Sequence, residues 1–225
     1  MKKLTLILGI GIILFCSCAK EESENVKQDS IYTIYELFYN LNTDKTTAQA
    51  TFRFGGATGT LLDLNAPAIS TFNGDELLYN SVSGVHKKEY AGIIKSGTFI
   101  YTDLDNNTFT NTTPTMDSIS FPLIDTISSG SAFTFQWVGN PVGTKETITL
   151  TIDGIQQGNF EVFSKILVGA TEIILPVNKL QNLGIGNASC TLTRAFNKYT
   201  VDQGTSKGGR MAVRYATTKT IYISN

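Results

Sequence analysis

The chain is poor in the residues that most enzyme chemistry draws on. In 225 residues there is one His, one Trp, three Cys, three Met and five Pro. A single His, His86, cannot furnish both a metal site and a base, and any Ser-His-Asp or Cys-His triad would have to use it. Charged side chains are also few, at 16% against the roughly 25% of an average domain. Eighteen basic residues face nineteen acidic ones, for a net charge of −1. That balance excludes the basic field of a nucleic-acid binder. Twenty Gly and five Pro are too few for collagen, and 41% hydrophobic residues are too many for a disordered chain.

Apolar residues come first. Lys2 and Lys3 precede twelve uncharged residues, Leu4 to Phe15. That run has the length of a signal-peptide core and is too short to span a bilayer, which takes about 20 residues. Ser17-Cys18 follows at once. A small residue before a Cys at the end of such a run resembles the lipobox of bacterial lipoproteins. The resemblance implies a signal peptide over residues 1–17, acylation of Cys18 and a membrane partner held through that lipid. Cys18 fits better than Cys16, because bulky Phe15 precedes Cys16. Lys20, Glu21 and Glu22 resemble the short Lys-acidic tract that marks surface export in lipoproteins of the Bacteroidetes group. A solvated, charged tether would look the same. Residues 18–29 are polar and predict a flexible acidic stalk. The resemblance places the protein at the outer membrane, facing outward.

Only Cys190 is left for the globular part, so no internal disulfide can form there. It stands at the apolar parity of Ala188-Ser189-Cys190-Thr191-Leu192, which predicts a buried, inert thiol.

Period-two alternation dominates the rest. Ala48, Ala50, Phe52 and Phe54 alternate with Gln49, Thr51 and Arg53; Ile148, Leu150 and Ile152 alternate with Thr147, Thr149 and Thr151. This is the pattern of half-buried strands, and Thr suits their solvent face. Turn signals such as Asn73-Gly74 and Asp153-Gly154 separate the runs. Ile31 to Leu41 is apolar at both parities, which predicts a strand covered on both faces. One short helix is expected after Pro176, with Leu180 and Leu183 on one face and Gly184 ending it.

The fold class is therefore all-β, read as two tandem immunoglobulin-like antiparallel β-sandwiches over residues 30–122 and 123–225. Met116 to Pro122 reads as a closing strand. Residues 27–121 carry six basic and ten acidic side chains, and residues 122–225 carry nine and six. The order of pieces in the second half resembles immunoglobulin-like modules of Bacteroidetes surface lipoproteins: Phe133 to Trp137, Thr147 to Ile152, Glu172 to Pro176, the Leu180/Leu183 turn, Ala188 to Thr193 and Lys219 to Ile223. The Cys pair of antibody domains is absent.

Sites with chemistry are scarce. His86 lies in a charged stretch without a motif and is read as solvent-facing or structural. Asp103-Leu104-Asp105-Asn106-Asn107 resembles part of a calcium loop but lacks the later Gly and Glu, so a hairpin loop explains it. Asp75 and Glu76 are adjacent and would point to opposite faces of a strand, which suits no glycosidase pair. Metal and cofactor sites are not expected. Arg210 and Arg214 share one strand face and form a candidate basic patch, either for an anionic partner or as edge protection. Asp29-Ser30-Ile31, Asp117-Ser118-Ile119 and Asp125-Thr126-Ile127 resemble O-glycosylation acceptors of the same bacterial group. These readings combine into a non-enzymatic binding, adhesion or assembly role, with an extracellular glycan or protein as partner. The alternatives are an accessory glycan-binding lipoprotein of a polysaccharide-uptake system or a carboxylate-dependent glycosidase. Binding predicts exposed aromatics such as Tyr79, Tyr90, Tyr199 or Tyr222.

Overall fold

Alternation becomes burial along almost every strand. A computed structural model of the chain describes residues 21–155 and 159–225. The first half contributes β1 (Glu21–Glu22), β2 (Ile31–Asn40), β3 (Lys45–Phe54), β4 (Thr60–Asp63) and β5 (Ile69–Phe72). It continues with β6 (Asp75–Glu76), β7 (Leu78–Asn80), β8 (Val85–Ala91), β9 (Thr98–Thr102) and β10 (Thr108–Thr112). The second half begins with β11 (Ile119–Ser120), β12 (Thr126–Ser128), β13 (Phe133–Gln136), β14 (Val138–Gly139) and β15 (Glu146–Asp153). It closes with β16 (Phe160–Lys165), β17 (Glu172–Leu175), α1 (Val177–Asn182), β18 (Gly186–Lys198) and β19 (Gly209–Ser224). The expected helix is α1, with Leu180 and Leu183 both fully buried.

The all-β sandwich architecture is as expected. One front sheet runs in the order β1-β4-β3-β2-β19-β18-β15-β16, with β8 also on β3 and β12 also on β19. Behind its first half lies the sheet β10-β9-β5-β6, and behind its second half the pair β13-β17. Tyr35, Phe52, Phe72, Phe99 and Tyr101 fill the first interlayer space; Ile148, Leu150, Cys190, Leu192, Phe135 and Leu175 fill the second. Tyr35 stacks on Phe99 with centroids 4.8 Å apart, and Phe72 meets Phe99 at 4.7 Å, within the range of favourable ring pairs.

The two sandwiches share their front sheet rather than merely following each other. β2 pairs in parallel with β19, from Thr33 opposite Gly209 to Asn40 opposite Ala216. The ring of Tyr39 meets that of Tyr215 at 5.1 Å across this seam. Gly209 is required there: a Cβ would stand 2.3 Å from the Thr33 hydroxyl oxygen and 2.4 Å from the Thr33 carbonyl oxygen. The loop between β18 and β19 is then tied to the first half. Asn111, buried on β10, accepts the N–H groups of Asp202 and Gln203 at 2.8 and 3.0 Å and donates to the Gln203 carbonyl at 2.8 Å. The Thr205 hydroxyl donates to the Ile31 carbonyl, and the Ser206 N–H donates to Asp29 Oδ1 at 2.8 Å.

Arg194 belongs to the basic C-terminal stretch in sequence but points inward and is 3% exposed. Its guanidinium donates to the carbonyls of Asn140 and Pro141 at 2.8 and 2.9 Å and to both carboxylate oxygens of Glu146, with Asp117 at 3.6 Å. Burial of a charge needs such a set of partners.

Three expectations are corrected. Residues 21–30 are docked, not a free stalk: β1 pairs with β4, and the buried Ser23 bonds the side chain and backbone of Asn65. Ile119–Ser120 does not close the first sandwich; it pairs with Val138–Gly139 of the second, because Ile119 finds its apolar cover there. Of the two roles expected for His86 the structure gives the structural one: it is buried against Phe52 and Tyr79, at ring distances of 5.3 and 5.0 Å. Among the described residues no third layer covers β2; its outer residues, Ile34 and Phe38 among them, stay half-buried.

Candidate functional site

The outer face of the shared sheet carries the candidate site. On β19 the even residues Arg210, Ala212 and Arg214 face outward, while Met211, Val213 and Tyr215 are buried. Ile34 stands opposite Arg210 on β2, Glu36 opposite Ala212 and Phe38 opposite Arg214. Asn197 of β18 lies opposite Ala212 from the other side. The sequence places both arginines on one face, and the structure adds their neighbours from strands distant in the chain.

Between them is a recess of about 100 Å³, lined by Ile34, Glu36, Asn197, Tyr199, Arg210 and Arg214 among others. Its charges are unequally used. Arg214 Nε is 3.0 Å from Glu36 Oε1, and Glu36 Oε2 accepts from Gln49 Nε2 at 2.9 Å. Lys198 pairs with Asp202. Arg210 is exposed and has no ion-pair partner among the described residues. Tyr199 beside it is 79% exposed. One free guanidinium, one bare aromatic ring and an apolar wall from Ile34 therefore converge on one opening.

The other expected aromatics do not join it. Tyr79 packs on His86, and the Tyr90 hydroxyl donates to the Phe72 carbonyl at 3.3 Å. Tyr222, 44% exposed, lies on the far part of β19. Ile34, Glu36 and Asn197 were missed by sequence reasoning. The one available signal was the apolar outward parity of Ile31 to Leu41.

A second recess of about 210 Å³ is lined by Asp63, Glu76, Tyr79 and His86. His86 Nε2 is 3.3 Å from the Leu64 N–H nitrogen and 3.4 Å from Asp63 Oδ1. These contacts tie β8 to the end of β4. The Asp103 loop is a hairpin turn: its Oδ1 accepts the N–H groups of Asp105 and Asn107, both at 2.9 Å, and its Oδ2 accepts Asn107 Nδ2 at 3.0 Å. Among the described residues no group of three or more His, Cys, Asp or Glu side chains is placed to hold a metal. Burial pushes the Cys190 thiol up to about 12, so it stays protonated near neutral pH.

Cys18 and Lys20 lie outside the described residues. Glu21 and Glu22 are within them, half-buried on β1 alongside β4, and Glu22 accepts from Asn65 Nδ2 at 3.1 Å. No helix among the described residues is long and apolar enough to cross a membrane. Ser118 and Thr126 of the acceptor-like triplets are exposed, and Ser30 is half-buried.

No family model matches the chain, and no curated protein does. Several solved structures resemble it loosely, two of them at low identity. One concerns the host cell-surface retention of a 1.5-MDa bacterial ice-binding adhesin, at 12% identity and a TM-score of 0.23, covering 88% of this chain and 67% of that one. The other holds the FN1–FN3 domains of chicken CNTN1, at 6% identity and a TM-score of 0.24, covering 80% and 62%. At these scores neither bears on the chemistry of the recess.

Proposed function

We propose that the protein is a non-catalytic surface-binding lipoprotein, anchored through Cys18, that uses the recess at the seam to hold an acidic group on an extracellular glycan. The observation that carries this is the unpaired Arg210 beside the bare ring of Tyr199. A guanidinium without an internal partner is free to take a carboxylate or sulfate in two parallel hydrogen bonds. An exposed aromatic ring can cover the apolar face of a sugar. The size supports it too: about 100 Å³ is well below the roughly 300–1,000 Å³ of sites that enclose a small molecule. Such a recess grips one protruding group of a larger ligand, as adhesion requires, and leaves the rest in solvent.

Titration calorimetry with uronic-acid and sulfated oligosaccharides, against neutral ones of equal length, tests the ligand class. Arg210→Gln should weaken acidic binding by roughly 10–100-fold, the loss of a hydrogen bond to a charged group. Equal binding of neutral and acidic sugars, or no effect of Arg210→Gln, refutes the site. Membrane fractionation tests the anchor: Cys18→Ser should move the protein to the soluble fraction, and a variant that still pellets after a salt wash refutes the lipid attachment.

A further inference from the structure

One edge of the front sheet is bare. β16 is bonded to β15 on one side, and no hydrogen bond among the described residues reaches its backbone from the other. Its outward side chains are Phe160, Val162 and Ser164, with Phe160 57% and Val162 51% exposed. Ile166, just past the strand, is 72% exposed. Other edges are blunted: β4 carries β1, and the Thr110 N–H of β10 is taken by Gln203 Oε1 at 2.8 Å. Natural edges carry charges, prolines or bulges against pairing; the outward face of β16 has none of these, and its two charges, Glu161 and Lys165, stand at the inner parity, where Glu161 is already neutralised by Lys179.

We infer that this edge is a homotypic interface, in which β16 of two copies pairs antiparallel about Phe163. The segment is complementary to itself in that register. Phe160 falls opposite Ile166 of the second copy, an apolar pair on the outer face. Glu161 falls opposite Lys165, giving two reciprocal opposite-charge pairs. Val162 falls opposite the small Ser164, and Phe163 opposite itself. Directly opposed side chains in such ladders interact favourably when aromatic and aliphatic or oppositely charged. Lys165 has no ion-pair partner within its own chain among the described residues, while Glu161 is already held by Lys179 at 2.9 Å and Asn182 at 2.9 Å. The inter-copy pair therefore adds a cation to a fixed carboxylate. A register shifted by one residue would set the outer apolar residues against inner ones.

The full chain, purified in mild detergent, should sediment as a dimer at micromolar concentration. Val162→Lys should raise the dimer dissociation constant roughly tenfold or more, since it places cations at neighbouring positions of the new ladder, and its circular dichroism should be unchanged. Lys165→Glu, which sets a carboxylate opposite Glu161, should act in the same direction. Mixing Phe160→Cys chains with Ile166→Cys chains should give an oxidised cross-linked pair, because directly opposed Cα atoms lie within disulfide reach. Neither variant alone should cross-link. A monomer up to roughly 100 μM, above the micromolar affinities of ordinary specific pairs, overturns the inference. So does a dimer indifferent to Val162→Lys, or cross-linking by either Cys variant alone.

Discussion

Glu146→Ala should be among the most damaging single changes in the second sandwich. Arg194 is buried at 3% exposure, and Glu146 supplies both carboxylate oxygens of its main partner. Removing one member of a buried pair typically costs 3–5 kcal/mol, because the other charge is left uncompensated. Two features of the site pull the figure to the lower end. The carbonyls of Asn140 and Pro141 still accept from the guanidinium, and the half-exposed Asp117 lies 3.6 Å away. The expected loss is about 3 kcal/mol, or about 6–12 °C in melting temperature for a chain of this size. Urea unfolding followed by tryptophan fluorescence reads it well. Trp137, the only Trp, donates its indole N–H at 3.1 Å to the same Asn140 carbonyl that Arg194 holds. The double variant Arg194→Met, Glu146→Leu removes both charges and should be much less damaged than the two single changes summed. A loss below about 1 kcal/mol in Glu146→Ala, the size of an exposed pair, would refute the reasoning. Strict additivity in the double variant would refute it as well.

Gly209→Ala should separate β2 from β19, since the new methyl cannot fit beside Thr33; a cost of about 1–3 kcal/mol with faster amide exchange along β2 is expected. Gly208→Ala, where nothing lies within 4 Å but φ is +71°, should show only the backbone strain of about 1 kcal/mol and leave β2 exchange unchanged. Acid should loosen three contacts together. The Ser206 hydrogen bonds hold Asp29 below its ordinary 3.8, the Lys88 bond holds Asp75 below 3.8, and the Lys179 bond holds Glu161 below 4.5. Each folded value is depressed, so each stabilisation is present above the ordinary value and fades as pH falls through the depressed one. NMR titration should therefore place the midpoint of each of the three carboxyls below its ordinary value, and Asp29→Asn should flatten the acid limb of the stability curve.

The strands were legible because burial on one face leaves a period of two, as in Ile148, Leu150 and Ile152. Their partners were not. β2 and β19 meet across some 175 positions of chain, and nothing local in either strand names the other. Gly209 signals the meeting only once Thr33 is known to be its neighbour. The docking of residues 21–30 was equally hidden, because Ser23, Gln28 and Asp29 read as solvated tether residues until Asn65 and Ser206 stand beside them. The inward turn of Arg194 was hidden too, since its parity puts a charge where an apolar residue is the default. At the site, Arg210 and Arg214 were legible by spacing alone, whereas the recess needs Ile34 and Asn197 from two other strands.

The parallel joining of β2 to β19 also decides how the molecule would carry a load. A pull applied at the start of β2 and at the end of β19 draws the two strands in opposite directions along their length. Eight residue pairs, from Thr33–Gly209 to Asn40–Ala216, then resist in shear and must yield together. Had the strands been antiparallel, the same pull would open the ladder one rung at a time. The Asn111 and Thr205 contacts across the seam add to the resistance. A body held at the start of β2 and gripped at the end of β19 is thereby braced along its strongest direction.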